Sequence, residues 1–154
     1  MSEPYPRYRA AGVWRKDDGI YVETMVFGTR ESGILPRPRF HRRLDVDASA
    51  VEIGCAVVDA LNANYVDPDL PEYPTDIRDT VYAAGHRTYR SFNRGALYVD
   101  VFDAGDHLSV SPSDGSKRAG AFMFSTDQLR VEGLDPGAIG KAVLEAFERS
   151  TPGR

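Results

Sequence analysis

The sequence predicts an α+β fold: two repeated units of antiparallel strands followed by a helix, forming one compact domain with the helices packed on one sheet face. Three observations carry this reading. Residues 53–61, Ile-Gly-Cys-Ala-Val-Val-Asp-Ala-Leu, align without gaps on residues 139–147, Ile-Gly-Lys-Ala-Val-Leu-Glu-Ala-Phe, with five of nine positions identical and three more conservative. Upstream, Gly-Ile-Tyr-Val-Glu at 19–23 resembles Gly-Ala-Leu-Tyr-Val-Asp at 95–100, with a one-residue slip after the glycine. Between them each half has a short alternating segment, Leu44-Asp45-Val46 and Leu129-Arg130-Val131, in the same order. The single domain spans 1–154, with unit one at about 8–63, an acidic Pro-rich connector at about 64–86, and unit two at about 87–150.

In chain order, residues 12–16 and 20–27 read as two strands of a hairpin closed by Asp17-Asp18-Gly19. Ser49 followed by Glu52 is a capping box for the first helix, whose Ile53, Ala56, Val57, Ala60 and Leu61 form an apolar stripe. The connector has Pro68, Pro71 and Pro74 among Asp67, Asp69 and Glu72, a rigid composition. A short helix is expected over 76–84, with Thr75 as N-cap and Gly85 just past its end. In the second half, residues 88–92 read as a strand, 93–95 as its turn and 96–103 as the next strand. Strands at 108–111 and around 121–125 follow, separated by the turn Pro112-Ser113-Asp114-Gly115. Asp135-Pro136 opens the second helix as N-cap and first helical residue, and Ile139, Ala142, Val143, Ala146 and Phe147 repeat the stripe. Gly54 and Gly140, near the two stripes, are expected to let each helix lie close on the sheet.

With 42% hydrophobic and 27% charged residues, the 154-residue chain has enough apolar material for a core without staples. The single cysteine, Cys55, excludes a disulfide framework and fits a reducing compartment. The start, Met-Ser-Glu-Pro-Tyr-Pro, has no apolar run of a signal peptide, and no stretch approaches the length of a membrane span, so a cytoplasmic location is expected. The net charge of -4 argues against nucleic acid as the main partner.

No catalytic residues, metal site or cofactor are expected, and the chain does not read as an enzyme. His41, His86 and His107 lie far apart, and none has a second ligand three or four residues away. Cys55 aligns with Lys141 and lies off the apolar stripe, the place of an incidental thiol. Nucleophile elbows, phosphate-binding loops and dinucleotide fingerprints are missing.

Two surfaces remain. Arg37, Arg39, His41, Arg42 and Arg43, interrupted by Pro38 and Phe40, are either a phosphate-binding strip or, the preferred reading, a solvated edge strand whose charges block unwanted pairing. The second surface comes from strand parity. Leu97, Val99 and Val101 face one way with Ile20, Val22 and Val26, an aliphatic seat for the helices. Tyr98, Asp100 and Phe102 face the other way with Tyr21, Glu23, Met25 and Phe27. That Tyr/acid face is either an interface for a basic partner or a surface packed internally against other parts of the chain. The residues assigned to partner binding are Tyr21, Glu23, Tyr98, Asp100 and Phe102, with Asp67, Asp69 and Glu72 of the connector.

A short strand, an acidic turn and a helix reading Ile-Gly-x-Ala-Val-x-x-Ala-Leu, at 53–61 and again at 139–147, resemble immunity proteins of bacterial contact-dependent growth inhibition systems. The strand segments 14–23 and 92–100 are similar to that family's upstream hairpin. The resemblance implies a protein that binds and neutralises the toxic C-terminal domain of a cognate effector, often a nuclease, inside the producing cell. Such a protein needs no chemistry of its own. The alternatives are a nucleic-acid-binding accessory domain using residues 37–43, a small α+β enzyme, and a structural subunit that dimerises through the aromatic face.

Overall fold

The computed structural model describes residues 4–5, 8–33, 35–70, 79–117 and 121–154, with the backbone alone for 4–5. The strands are β1 (Pro4–Tyr5), β2 (Arg9–Lys16), β3 (Gly19–Thr29), β4 (Arg37–Leu44), β5 (Tyr65–Val66), β6 (Leu97–Asp103), β7 (Leu108–Ser111), β8 (Ser113–Asp114), β9 (Met123–Phe124) and β10 (Leu129–Val131). The helices are α1 (Ala50–Asn62), α2 (Asp79–Ala83), α3 (Tyr89–Asn93) and α4 (Pro136–Glu148). The main sheet runs β1-β3-β2-β6-β7-β10, with β4 and β5 also paired to β3, while β8 and β9 pair apart from it.

Both halves of the chain therefore share one sheet. They meet where β2 runs antiparallel to β6, with Val13 opposite Val99 and Gly12 opposite Asp100. Outward from this seam stand β3 and β4 on one side, β7 and β10 on the other. By sheet position β6 thus corresponds to β2. The match of 19–23 with 95–100 joins β3 to β6 and does not follow that order, because a glycine ahead of alternating aliphatics suits almost any strand leaving a turn.

Strand parity places the aliphatic residues as expected. Val13, Ile20, Val22, Val99, Val101 and Val110 pack beneath Ile53, Val57, Leu61, Ile139, Val143 and Phe147 in one core. At roughly 2 kcal/mol for each fully buried aliphatic side chain, this layer dominates the folding energy. Both helices start from side-chain caps: the Ser49 hydroxyl accepts from Glu52 N at 3.2 Å and Asp135 Oδ2 from Ala138 N at 2.9 Å. Asn64, just beyond α1, pins the helix end to the sheet. Its Oδ1 accepts from Ala10 N at 2.8 Å and its Nδ2 donates to Ala10 O at 2.9 Å.

The short helix expected over 76–84 is present as α2 (Asp79–Ala83), ending before Gly85 with its φ of 82°; its expected start and the Thr75 cap lie outside the described residues. Three expectations need correction. Residues 88–92 are not a strand: Thr88 Oγ1 accepts from Ser91 N at 3.1 Å and caps α3, which places Phe92 in the core. Its five residues are too short to show a helical period, and Thr, Tyr and Phe mimic strand composition. Ser113 and Asp114 form β8 against β9 and are not a simple turn. Finally, Gly54 and Gly140 bring helix to helix, not helix to sheet. A Cβ on Gly54 would sit 1.7 Å from Pro136 O, and one on Gly140 would sit 1.6 Å from Ala50 O. The fifth residue of each helix thus lies against the first residue of the other, and backbone meets backbone.

No helix among the described residues is long and apolar enough to cross a membrane. Gly54→Ala and Gly140→Ala should each lower stability by about 2 kcal/mol or more, despite the roughly 1 kcal/mol that alanine gains in helix propensity. Urea unfolding of each variant measures this, and an unchanged midpoint would contradict the contact.

Candidate functional site

The second face of the sheet is organised by a missing side chain. Gly12 lies opposite Glu23 on β3 and opposite Asp100 on β6, so two carboxyl groups flank one glycine across three strands. A Cβ on Gly12 would stand 2.7 Å from the Tyr98 hydroxyl oxygen and 3.1 Å from Glu23 Oε1. The space left empty on β2 is where these polar groups converge.

Glu23 is buried and satisfied. Trp14 Nε1 donates to its Oε1 at 2.7 Å and Thr80 Oγ1 to its Oε2 at 2.6 Å. Burial raises its pKa above the usual carboxylate value, against those two hydrogen bonds and with help from the nearby Asp79 charge. Around it Trp14, Tyr21, Val81, Phe92 and Ala96 form a second core beneath α2 and α3. A cavity of about 220 Å³ remains there, lined by Trp14, Glu23, Thr80, Tyr89, Tyr98 and Phe122 among others. The Tyr98 ring lies 4.2 Å from that of Trp14, and burial, with the Asp100 and Glu23 charges, holds its hydroxyl far above its ordinary pKa.

Asp100, two residues further along the same face of β6, has no such support. Burial alone raises its carboxyl to about 6, and no hydrogen bond reaches its side chain among the described residues. It lines a hollow of about 460 Å³ with Tyr8, Ala10, Met25, Leu35 and Phe102, otherwise apolar. Leu35 is 68% exposed and Tyr8 40%, so the rim is open to solvent. Tyr8 packs on Phe102 and Phe27 with ring centroids 5.6 and 6.1 Å apart.

The residues assigned to partner binding are therefore divided. Tyr21 and Glu23 are buried and their side chains do not reach an open surface; internal packing holds for this half of the face. Tyr98 is half-buried at the boundary, and Asp100 and Phe102 line the open hollow. Asp69 is exposed, and Asp67, half-buried, donates its backbone N–H to Phe27 O at 2.8 Å, which brings the start of the connector to the same end of β3 as Met25 and Phe27. Glu72 lies outside the described residues. Sequence reasoning passed over Gly12, Tyr8 and Leu35; the glycine inside a strand was the one available signal.

Among the described residues strand β4 pairs only with β3, as an edge strand would. Three of its four arginines face acids: Arg39 lies 3.4 Å from Asp79, Arg42 3.9 Å from Asp59 and Arg43 3.8 Å from Asp18. Among the described residues no group of three His, Cys, Asp or Glu is placed to hold a metal ion, and Cys55 is exposed on α1.

No protein-family model matches the sequence. Nor does any curated protein. Solved structures do match its fold. One is a chain of the CdiA-CT/CdiI toxin and immunity complex from Yersinia pseudotuberculosis, at a TM-score of 0.70 and 18% identity over 97% of this chain and 100% of the other. Another is the protein of unknown function NMB0488 from Neisseria meningitidis, at a TM-score of 0.68 and 20% identity over 97% and 99% of the two chains. At these identities the likeness establishes the fold.

A carboxyl whose folded pKa is raised stabilises the fold below its unfolded value, and loses that contribution as pH rises through the folded one. For Asp100 the window runs from 3.8 to about 6. Asp100→Asn should therefore be more stable than the parent at pH 7, by up to about 3 kcal/mol, with the gap closing below about pH 4. Denaturant midpoints across this range check it; a variant less stable than the parent at pH 7 would contradict the placement.

Proposed function

We propose that this protein is an immunity protein: inside the producing cell it binds the C-terminal toxin domain of a contact-dependent growth inhibition effector and neutralises it stoichiometrically. The observation that carries the reading is Asp100, a largely desolvated carboxyl that has no partner among the described residues, in an open apolar hollow. A buried charge that costs stability in the free protein is readily explained when a ligand completes it. The complement is a lysine or arginine whose aliphatic stem lies on Phe102, Met25 and Tyr8 while its head meets the carboxylate. Such residues are plentiful on enzymes that grip phosphate backbones, so a nuclease toxin suits the site.

In this reading Asp100 and Phe102 make the central contact, Tyr98 borders it, and Asp67 and Asp69 add negative charge that steers a basic partner. Tyr21 and Glu23 act from beneath, by fixing the strands that carry the hollow. The likeness in fold to a chain of a toxin and immunity complex supports the immunity reading as a whole. The ion pairs of Arg39, Arg42 and Arg43 engage three of the four arginines on which the nucleic-acid reading depends.

Co-expression with the cognate toxin domain should yield an equimolar complex. Isolation of this chain alone under those conditions would contradict the proposal. Within the complex, Asp100→Asn should weaken binding by about ten- to a hundredfold and Phe102→Ala by about tenfold. Because a partner cation favours the carboxylate, parental affinity should rise with pH between about 5 and 7, while Asp100→Asn should lose most of that dependence. Calorimetric titration reads all three effects, and unchanged affinity in both variants would move the interface elsewhere.

A further inference from the structure

We propose that the hollow between the β2–β3 hairpin and α3 binds a compact phosphate-type anion carrying two or more negative charges. The hollow, about 340 Å³, is lined by Lys16, His86, Thr88, Arg90, Ser91 and Arg94, with no carboxylate in its wall. None of these residues lines the Asp100 hollow, so the site stands apart from the proposed toxin contact.

Three separate segments converge here: the end of β2, the loop after α2, and α3 with the residue that follows it. Lys16 is held in place: its Nζ donates to Phe92 O and to Arg94 O, the latter at 3.3 Å, and stands 5.1 Å from the Phe92 ring centroid. An ammonium has three donors, so one is uncommitted among the described residues. Burial lowers the Lys16 pKa, opposed by the charges of Asp18 and Asp17. Those acids do not line the hollow, and Asp18 is engaged by the Tyr21 hydroxyl at 3.1 Å and by Arg43 at 3.8 Å. On the other wall His86 Nδ1 and Ser91 Oγ are hydrogen-bonded at 2.7 Å, while Thr88 Oγ1 accepts from Ser91 N.

What sets this place apart is that two arginines without an ion pair among the described residues share one hollow with Lys16. Arg15, Arg87 and Arg154 also have no carboxylate within 4.0 Å among the described residues, but they line no part of it. Arg9, Arg39, Arg42, Arg43, Arg130 and Arg149 each lie within 4.0 Å of a carboxylate. Arg90 and Arg94 have no such partner among the described residues, although the chain is acidic overall. Three cations around so small a space exceed what one carboxylate neutralises. A phosphate or diphosphate brings enough charge in a compact body, and its oxygens suit guanidinium forks and hydroxyl donors.

Calorimetric titration at low ionic strength with pyrophosphate and with ADP tests the site. The expected result is saturable binding of one anion per chain, weakened about tenfold or more in Arg90→Ser/Arg94→Ser. The double variant Arg130→Ser/Arg149→Ser removes the same charge elsewhere and should stay within about twofold of the parent. Comparable affinity for both ligands identifies the phosphate groups as what is recognised; binding of pyrophosphate alone identifies a free anion. Absence of saturable binding to either ligand, or equal weakening in both double variants, would overturn the proposal.

Discussion

The second face of the sheet depends on the register of one strand pair, β2 against β6. That pairing joins the two halves and sets Gly12 opposite Asp100, while the β2–β3 hairpin sets the same glycine opposite Glu23. A slip of one residue would send Val99 and Val101 to the aromatic face and Asp100 beneath the helices. The register is fixed from the far side: Val13, Val99 and Val101 must lie under α1 and α4, whose backbones meet at Gly54 and Gly140. Helix packing on one face thereby determines where charges stand on the other.

Two acids on that face meet opposite fates. Glu23 receives donors from Trp14 and Thr80 and becomes part of a closed polar core under α2 and α3. Asp100 is desolvated by similar aromatic and aliphatic neighbours but receives no donor among the described residues. Folding alone gives no reason to keep an uncompensated carboxyl at a seam, since asparagine or serine fits a half-buried position at lower cost. A partner that supplied the missing charge would give one, and this is the basis of the toxin contact proposed above.

Much of the architecture was legible because it rests on periodicity. The stripes of α1 and α4, their caps at Ser49 and Asp135, and the strand parity separating Val99 and Val101 from Tyr98, Asp100 and Phe102 are all local signals. The fate of each side of the second face was not legible, because distant residues decide it. Thr80, which satisfies Glu23, comes from a short helix 57 residues later in the chain, and Tyr8 and Leu35, on the rim of the open hollow, follow no periodic pattern. Helix α3 escaped notice because five residues do not complete two turns. The glycines were recognised as close-contact positions, but sequence spacing alone does not tell a neighbouring helix from a sheet.

Side-chain footprinting by hydroxyl radicals, with and without the cognate toxin domain, tests the assignment of the Asp100 hollow most directly. Tyr8 and Leu35 on its rim, and Tyr82 and Leu134 elsewhere, are all exposed in the free protein and report independently. If the hollow is the interface, oxidation of Tyr8 and Leu35 falls on binding while Tyr82 and Leu134 react as before. Protection of Tyr82 or Leu134 with Tyr8 and Leu35 unchanged would place the toxin on another surface and leave Asp100 without the role given to it.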